Sequence, residues 1–340
     1  MTEARVAPEL GEDVRTPSAL ANWLRQRAQR KSDRFSGHSI HFERFPPRSI
    51  SVPSGYSTDY LGNMWPVRFG LDPNPGTYET DIPAINEEYF ELLDIFEAAI
   101  DAHGSFTMHE WGAGFARWSS VGVLAARACG IRDIKIACVE AEPKHLAFAA
   151  ENMHRLGLYG DRLRLYPFAL AESSRNDLFV IGRASELAGE DPWYGQALND
   201  MGEYVPNGRT YFGVPEVENS LGFRAVEVFV EPPSLVLRDY EYIDLIDMDL
   251  QGVEADVVAE CIGELNAKVR RLHIGTHNAE VEQRLRDLLH ANEWLLIRDL
   301  ACHERTITTY GEVHCIDGVQ SWFNPRFPPA DWTRTWLFQE

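Results

Sequence analysis

From Ser105 to Asp299 the chain alternates short apolar runs with stretches of helical periodicity, each about the length of one strand or one helix. Strands that alternate with helices pack into a parallel sheet covered by helices, so the pattern sets the class as α/β. The periodicity predicts a strand to Glu110, a helix from about Ala116 to Cys129 and a strand over 133–139. A helix from about Pro143 to Leu156 and a strand over 162–168 follow. Short strands are expected near 177–181 and 224–230, and Tyr242 to Asp249 reads as a buried strand ending in acid. A helix to about Asn266, a strand from Val269 to Gly275, a helix from Ala279 to Asn292 and a strand from Glu293 to Asp299 complete the repeat. Val313 to Ile316 is expected as the last strand. Upstream, Leu92, Leu93, Phe96 and Ile100 recur at helical spacing within Ile85 to Ala102.

Within this alternation Glu110-Trp111-Gly112-Ala113-Gly114 sits at the end of the first strand, and Glu140 ends the second. Glycines there let a backbone approach a ligand that a Cβ would hold away. The helix entered at about Ala116 is expected to offer unpaired N–H groups to an anionic part of that ligand. A carboxylate at the next strand's end suits the two hydroxyls of a ribose. The arrangement therefore points to a nucleoside-containing small molecule. S-Adenosylmethionine, NAD(P) and FAD all carry one. The dinucleotide fingerprint needs a third glycine, and here Phe115-Ala116-Arg117-Trp118 follows Gly114. An acid before the two glycines is typical of a turn that cradles the methionine part, so S-adenosylmethionine is favoured. Glu110, Gly112, Gly114, Glu140 and Glu142 are the candidate cofactor residues. Glu140 stands ahead of Glu142, which precedes Pro143 and suits a helix cap.

With 340 residues, one domain of roughly 250 residues plus an N-terminal extension fits best. Residues 1–80 are read as that extension, with a helix-like piece from Ser18 to Arg30 and a Pro-, Gly- and aromatic-rich stretch over 36–80. Residues 81–340 form the main domain, interrupted at about 183–223 by a long segment carrying Trp193, Tyr194, Tyr204, Tyr211 and Phe212. Its length and aromatic content suggest an ordered lid. Against 32 Lys and Arg stand 52 Asp and Glu, a net charge of −20 that repels phosphate backbones and anionic lipid. Nucleic acid and membrane are therefore not expected as partners. The five cysteines follow no zinc spacing, and Met1-Thr2-Glu3-Ala4-Arg5 leads into no apolar run, so a reducing cytoplasm is expected. A homo-oligomer is compatible with the sequence.

Two further clusters carry chemistry. Asp244-Leu245-Ile246-Asp247-Met248-Asp249 puts carboxylates at the carboxyl end of a central strand, where open α/β sheets bind ligands. Asp249 is the candidate to orient a substrate hydroxyl or take its proton; Glu254 reads equally as an acid at a helix start. His273-Ile274-Gly275-Thr276-His277 ends the next strand. His277 points beyond it and is the second candidate base, whereas His273 alternates inward as a core residue. A divalent metal on Asp249, Glu254 and His277 is conceivable but not favoured, so no metal ligand is assigned.

Taken together, Glu110-x-Gly112-x-Gly114, Val139-Glu140-Ala141-Glu142-Pro143 and Asp244 to Glu254 resemble the FkbM family of S-adenosylmethionine-dependent methyltransferases. His273 to His277 is similar too, and the likeness runs from roughly residue 90 to 320. It implies a class I, Rossmann-like fold: seven strands, mostly parallel, the last reversed, with helices on both faces. It also implies O-methylation of a small molecule, sugar or natural product. Two positions depart from the family pattern D-L-x-K-x-D-x-E-G-x-E: Asp247 replaces its lysine and Gln251 its first glutamate. Asp249, Gly252 and Glu254 are retained. The rival readings are an NAD(P)-dependent oxidoreductase and a non-catalytic ligand-binding protein on the same fold.

Overall fold

A computed structural model describes residues 37–183, 195–198 and 202–327. The helix-like piece Ser18 to Arg30, Trp193 and Tyr194 lie outside the described residues. Helix α1, Glu87–Asp101, opens on Asn86, whose side chain accepts the Tyr89 N–H. The alternation then gives β1 (Ser105–Trp111), α2 (Arg117–Ala128), β2 (Asp133–Val139), α3 (Pro143–Arg155) and β3 (Leu163–Tyr166). After an antiparallel insertion of β4 (Arg175–Arg183), β5 (Tyr204–Tyr211), β6 (Val214–Asn219) and β7 (Phe223–Glu231), the alternation resumes. It runs through β8 (Leu245–Met248), α4 (Glu254–Lys268), β9 (Arg271–Thr276), α5 (Ala279–Ala291), β10 (Leu295–Leu300) and β11 (Gly318–Phe323).

Seven strands form one sheet in the order β10-β11-β9-β8-β1-β2-β3. All are parallel except β11, which runs antiparallel to both β9 and β10. Apolar side chains cover both faces. Phe106, Met108, Ile134 and Ile136 pack under α1 and α2, while Trp111, Ile246, Leu272 and Ile274 pack against α4 and α5. A sheet buried on both sides needs strands that are apolar over much of their length, and the buried polar residues that interrupt these fall largely on the face under α1. One sequence expectation fails here. Val313 to Ile316 is not the last sheet strand: Gly311–His314 pairs in a hairpin with Arg305–Thr308, and Ile316 is exposed. The reversed strand is β11, whose six residues are all buried. Its Gln320 and Ser321 disguised it, because their polar groups are satisfied inside by Glu282 and Asp94.

The segment expected as an ordered lid is, in its described residues, largely strand. Ala197–Leu198, β4, β7, β6 and β5 pair in that order, with β5 and β6 joined as a hairpin across the Phe212-Gly213 turn. Tyr211 is held there by a hydrogen bond to Glu142, and Phe212 is exposed. Within residues 37–80, Phe42 and Phe45 pack on Phe96 of α1, and the Tyr60 hydroxyl donates to the Phe45 carbonyl. Among the described residues no helix is long and apolar enough to cross a membrane.

Inside β1, His109 is fully buried against Tyr240, 4.2 Å between ring centroids, and neither ring nitrogen has a hydrogen-bond partner. Burial lowers its pKa from 6.5 to about 3. Between those values the unfolded chain binds a proton that the folded chain refuses, so stability falls as pH drops through that window. His145, lowered to about 3 by burial, adds to the same slope. His109→Leu should remove two unsatisfied polar atoms and raise stability by ~1 kcal/mol at pH 7, with a larger gain at pH 5. Urea denaturation at both pH values checks this; an equal loss at both would contradict it.

Candidate active site

The turn after β1 is built by local demands. The Gly112 and Ala113 N–H groups both donate to the Val139 carbonyl at 3.0 Å, tying the turn to the end of β2. Gly112 has φ +83°, and a Cβ there would lie 1.9 Å from the Asp249 carbonyl oxygen. The turn and the β8 end therefore touch backbone to backbone. The Gly114 N–H donates to one Glu140 carboxylate oxygen at 2.7 Å, and the Glu142 N–H donates to the other at 2.7 Å. The bend and the carboxylate thus meet directly. Burial pushes Glu140 up to about 8 despite those two donors.

Glu110 has a different job from the one its motif suggests. Its carboxylate accepts the Ser119 N–H at 2.6 Å and the Trp118 N–H at 3.3 Å, so it caps α2, which has no cap from Ala116. Those N–H groups, expected to meet an anionic ligand, are already taken. Burial raises Glu110 to about 7. Glu142 is corrected likewise. It is fully buried, accepts the Lys144 and His145 N–H groups as the cap of α3, and does not face the cavity.

A cavity of about 420 Å³ opens at the carboxyl ends of β1, β2, β8 and β9. Gly112, Gly114, Glu140, Asp247, Asp249 and His273 are among its walls. That volume is ordinary for a small-molecule site. Gly70 and Leu71 reach it from the N-terminal segment, and Phe179 and Leu198 from the antiparallel sheet. Elsewhere in that segment, Tyr56 stacks under Arg155 and Trp65 packs on Phe115.

The histidine expectations are reversed. His277 is absent from the cavity wall; its Nδ1 lies 3.0 Å from Glu254 and its Nε2 3.2 Å from Asp249. Burial alone would lower its pKa, but the hydrogen bonds to Asp249 and Glu254 outweigh it and hold it up at about 10. At neutral pH it already carries its proton and cannot serve as a base. It positions Asp249, whose half-exposed carboxylate does face the cavity. Glu254, buried at the α4 start, accepts the Leu250 and Gly252 N–H groups and so fixes the loop that presents Asp249.

His273, not His277, lines the cavity, as does His145. Strand register explains the place of His273. Glu110, Asp247, His273, Ser321 and Arg298 are successive cross-strand partners on β1, β8, β9, β11 and β10. They form one polar row beneath α1. From above, Glu91, Asp94, Glu97 and Asp101 descend on it. His273 Nδ1 lies 2.7 Å from Asp94, Arg298 bridges Asp94 and Glu97, and Arg271 bridges Glu97 at 2.9 Å and Asp101 at 2.7 Å. Burial and the neighbouring Asp247 carboxylate push Glu91 well above the usual range; burial and Glu110 do the same to Asp247. Glu91 and Asp94 were missed in the sequence. The available signal was the acidic spacing Glu91, Asp94, Glu97, Asp101, which marks one helix face among the apolar positions.

The seven-stranded sheet with one reversed strand, helices on both faces and a cavity at the carboxyl ends is the class I methyltransferase fold. No family profile matches the chain. It is 26% identical over 288 residues to a Jannaschia sp. (strain CCS1) protein named "Putative methyltransferase", covering 82% of this chain and 91% of that one. Among solved structures it is similar to methyltransferase FkbM from Methylobacillus flagellatus KT, at 11% identity and a TM-score of 0.39. That match covers 65% of this chain and 44% of the other, so the chain spans less than half of that protein. It is also similar to an O-methyltransferase from Bacillus cereus solved with SAH, at 12% identity and a TM-score of 0.36, covering 71% and 84% of the two chains.

Proposed function

We propose that this chain is an S-adenosylmethionine-dependent methyltransferase of the FkbM kind, acting on a hydroxyl of a small molecule or sugar. One observation carries the reading: the Glu140 carboxylate and the Gly114 N–H meet at 2.7 Å on the rim of an open cavity. A carboxylate has about four acceptor positions, so after its two backbone donors Glu140 keeps room for two ribose hydroxyls. Gly112 and Gly114 line the cavity beside it, where the amino-acid part would sit. When bound, the cofactor supplies a methyl group already activated on a sulfonium.

The chain's own residues mainly hold and align. Glu254 and His277 clamp the 249–254 loop, and His277 keeps Asp249 aimed at the cavity. Asp249 accepts the hydrogen bond of the acceptor hydroxyl and takes its proton as the oxygen attacks. Leu71, Phe179 and Leu198 supply apolar wall around it and exclude water. The net charge of −20 speaks for a small acceptor rather than a nucleic acid.

Calorimetry with S-adenosylmethionine, S-adenosylhomocysteine and NAD(H) tests the cofactor; preference for NAD(H) overturns the proposal. Labelled methyl transfer into extract fractions tests the acceptor class. Glu140→Ala should weaken cofactor binding by at least ~10-fold with turnover at saturation little changed. Asp249→Ala should lower turnover by roughly 10²–10⁴ with cofactor affinity kept. The converse pattern would exchange the two roles.

A further inference from the structure

We propose that Glu91, Asp247 and His273 form a site for one divalent first-row transition ion on the inner wall of the cavity. The site does not depend on the methyl-transfer reading. One oxygen each from Glu91 and Asp247 and one ring nitrogen of His273 lie within 4.8 Å of one another. The three residues come from α1, β8 and β9, rigid elements that meet below the cavity.

Two features separate this trio from a chance gathering of acids. His273 is oriented in advance: Asp94 engages Nδ1 at 2.7 Å, and Arg298 and Ser321 in turn pin Asp94. Nε2 is then the nitrogen left for a ligand, the arrangement in which a carboxylate behind a histidine sets its tautomer and ring plane for metal. Asp247, for its part, is 3% exposed and lines the cavity, and the side-chain hydrogen bond it makes is to Glu91, a second carboxyl group. Two buried carboxylates in contact are costly unless they share a proton or hold a cation. Arg117, the guanidinium that acts on Glu91, is committed to Glu88 through two hydrogen bonds at 2.6 and 2.8 Å. The acids deeper along α1 have Arg271 and Arg298. Glu91 and Asp247 bond to each other, and among the described residues no arginine or lysine forms an ion pair with either.

One imidazole and two carboxylates suit manganese, iron, cobalt or zinc, and the remaining coordination positions face the cavity. The second trio, Asp249, Glu254 and His277, also lies within 4.8 Å. Its histidine is engaged at both nitrogens by carboxylates and Glu254 Oε1 accepts two backbone N–H groups, which leaves Glu254 Oε2 as its unpartnered atom. An ion on the first trio would answer the charge reversal at Asp247, the position where the resembling family has lysine. It would also favour an acceptor presenting two adjacent oxygens.

The test uses chelator-treated full-length protein titrated with Mn²⁺, followed by the electron paramagnetic resonance of free Mn²⁺ and by calorimetry. The expected result is saturable uptake of one ion per chain and a rise in melting temperature with Mn²⁺. Glu91→Gln should raise the Kd at least ~10-fold, and Asp249→Asn should leave it unchanged. Glu91→Gln alters one carboxylate isosterically, and its melting curve without metal reports that it is folded. No saturable uptake by the unaltered protein at millimolar Mn²⁺ overturns the proposal. So does a dependence on Asp249 as large as that on Glu91. Cofactor calorimetry is run separately, so failure of either proposal is read without the other.

Discussion

Gly112→Ala is expected to cost on the order of 3 kcal/mol or more and to lower the melting temperature by ~4 °C or more. Two terms combine. The residue sits at φ +83°, where an L side chain loses about 1–2 kcal/mol. The added Cβ would also lie 1.9 Å from the Asp249 carbonyl oxygen, which is backbone and cannot swing aside. Relief requires the turn and the 249–254 loop to separate, which pulls Gly114 from Glu140 and Asp249 from the cavity. Loss of cofactor binding should therefore exceed what the stability change explains. Gly130→Ala is the control. Its φ is +85° with nothing within 4 Å of the added carbon, so it should cost only the conformational term. Equal effects of the two substitutions in chemical denaturation would show that the close approach to Asp249 is not real.

Arg298→Leu should destabilise by about 3–5 kcal/mol, because it leaves buried carboxylates short of a cation. Arg298 reaches Asp94 with one terminal nitrogen and Glu97 with the other, so Arg298→Lys, a single ammonium, should recover little. The pH dependence has a definite sign. Burial alone would raise Glu97, but Arg298, His41 and Arg271 together hold it well below the usual 4.5. A carboxyl so depressed contributes stability above its unfolded pKa and loses it as pH falls through the folded one. Without Arg298 the acid-induced loss should begin at higher pH, which denaturation between pH 3 and 7 measures. A loss under 1 kcal/mol with an unchanged acid limb would contradict the network. The substitution should also disturb His273, since Asp94 is the link between the two.

What could be read from the chain was what neighbouring residues settle. The helix α4 start at Glu254, the α3 cap before Pro143 and the meeting of Gly114 with Glu140 all follow from periodicity and turn chemistry over short spans. Glu110 shows where that logic thins. Its acid-glycine motif was legible and the residue does line the cavity, but only the path of α2 made its carboxylate a helix cap as well. His277 shows the same limit: an end-of-strand histidine looks like a base until two carboxylates fold around it and hold its proton.

By itself, then, the sequence determined the α/β class, the glycine turn and the acid that answers it, because strand and helix periods and a turn's φ requirements are local. The tertiary structure alone decided the row Glu110, Asp247, His273, Ser321 and Arg298 and the acidic face of α1 that covers it. Those residues come from distant parts of the chain, and their pairing depends on strand order and on one reversed strand, β11. Register between strands is set by burial of whole faces, a property of the assembled sheet that no single segment carries.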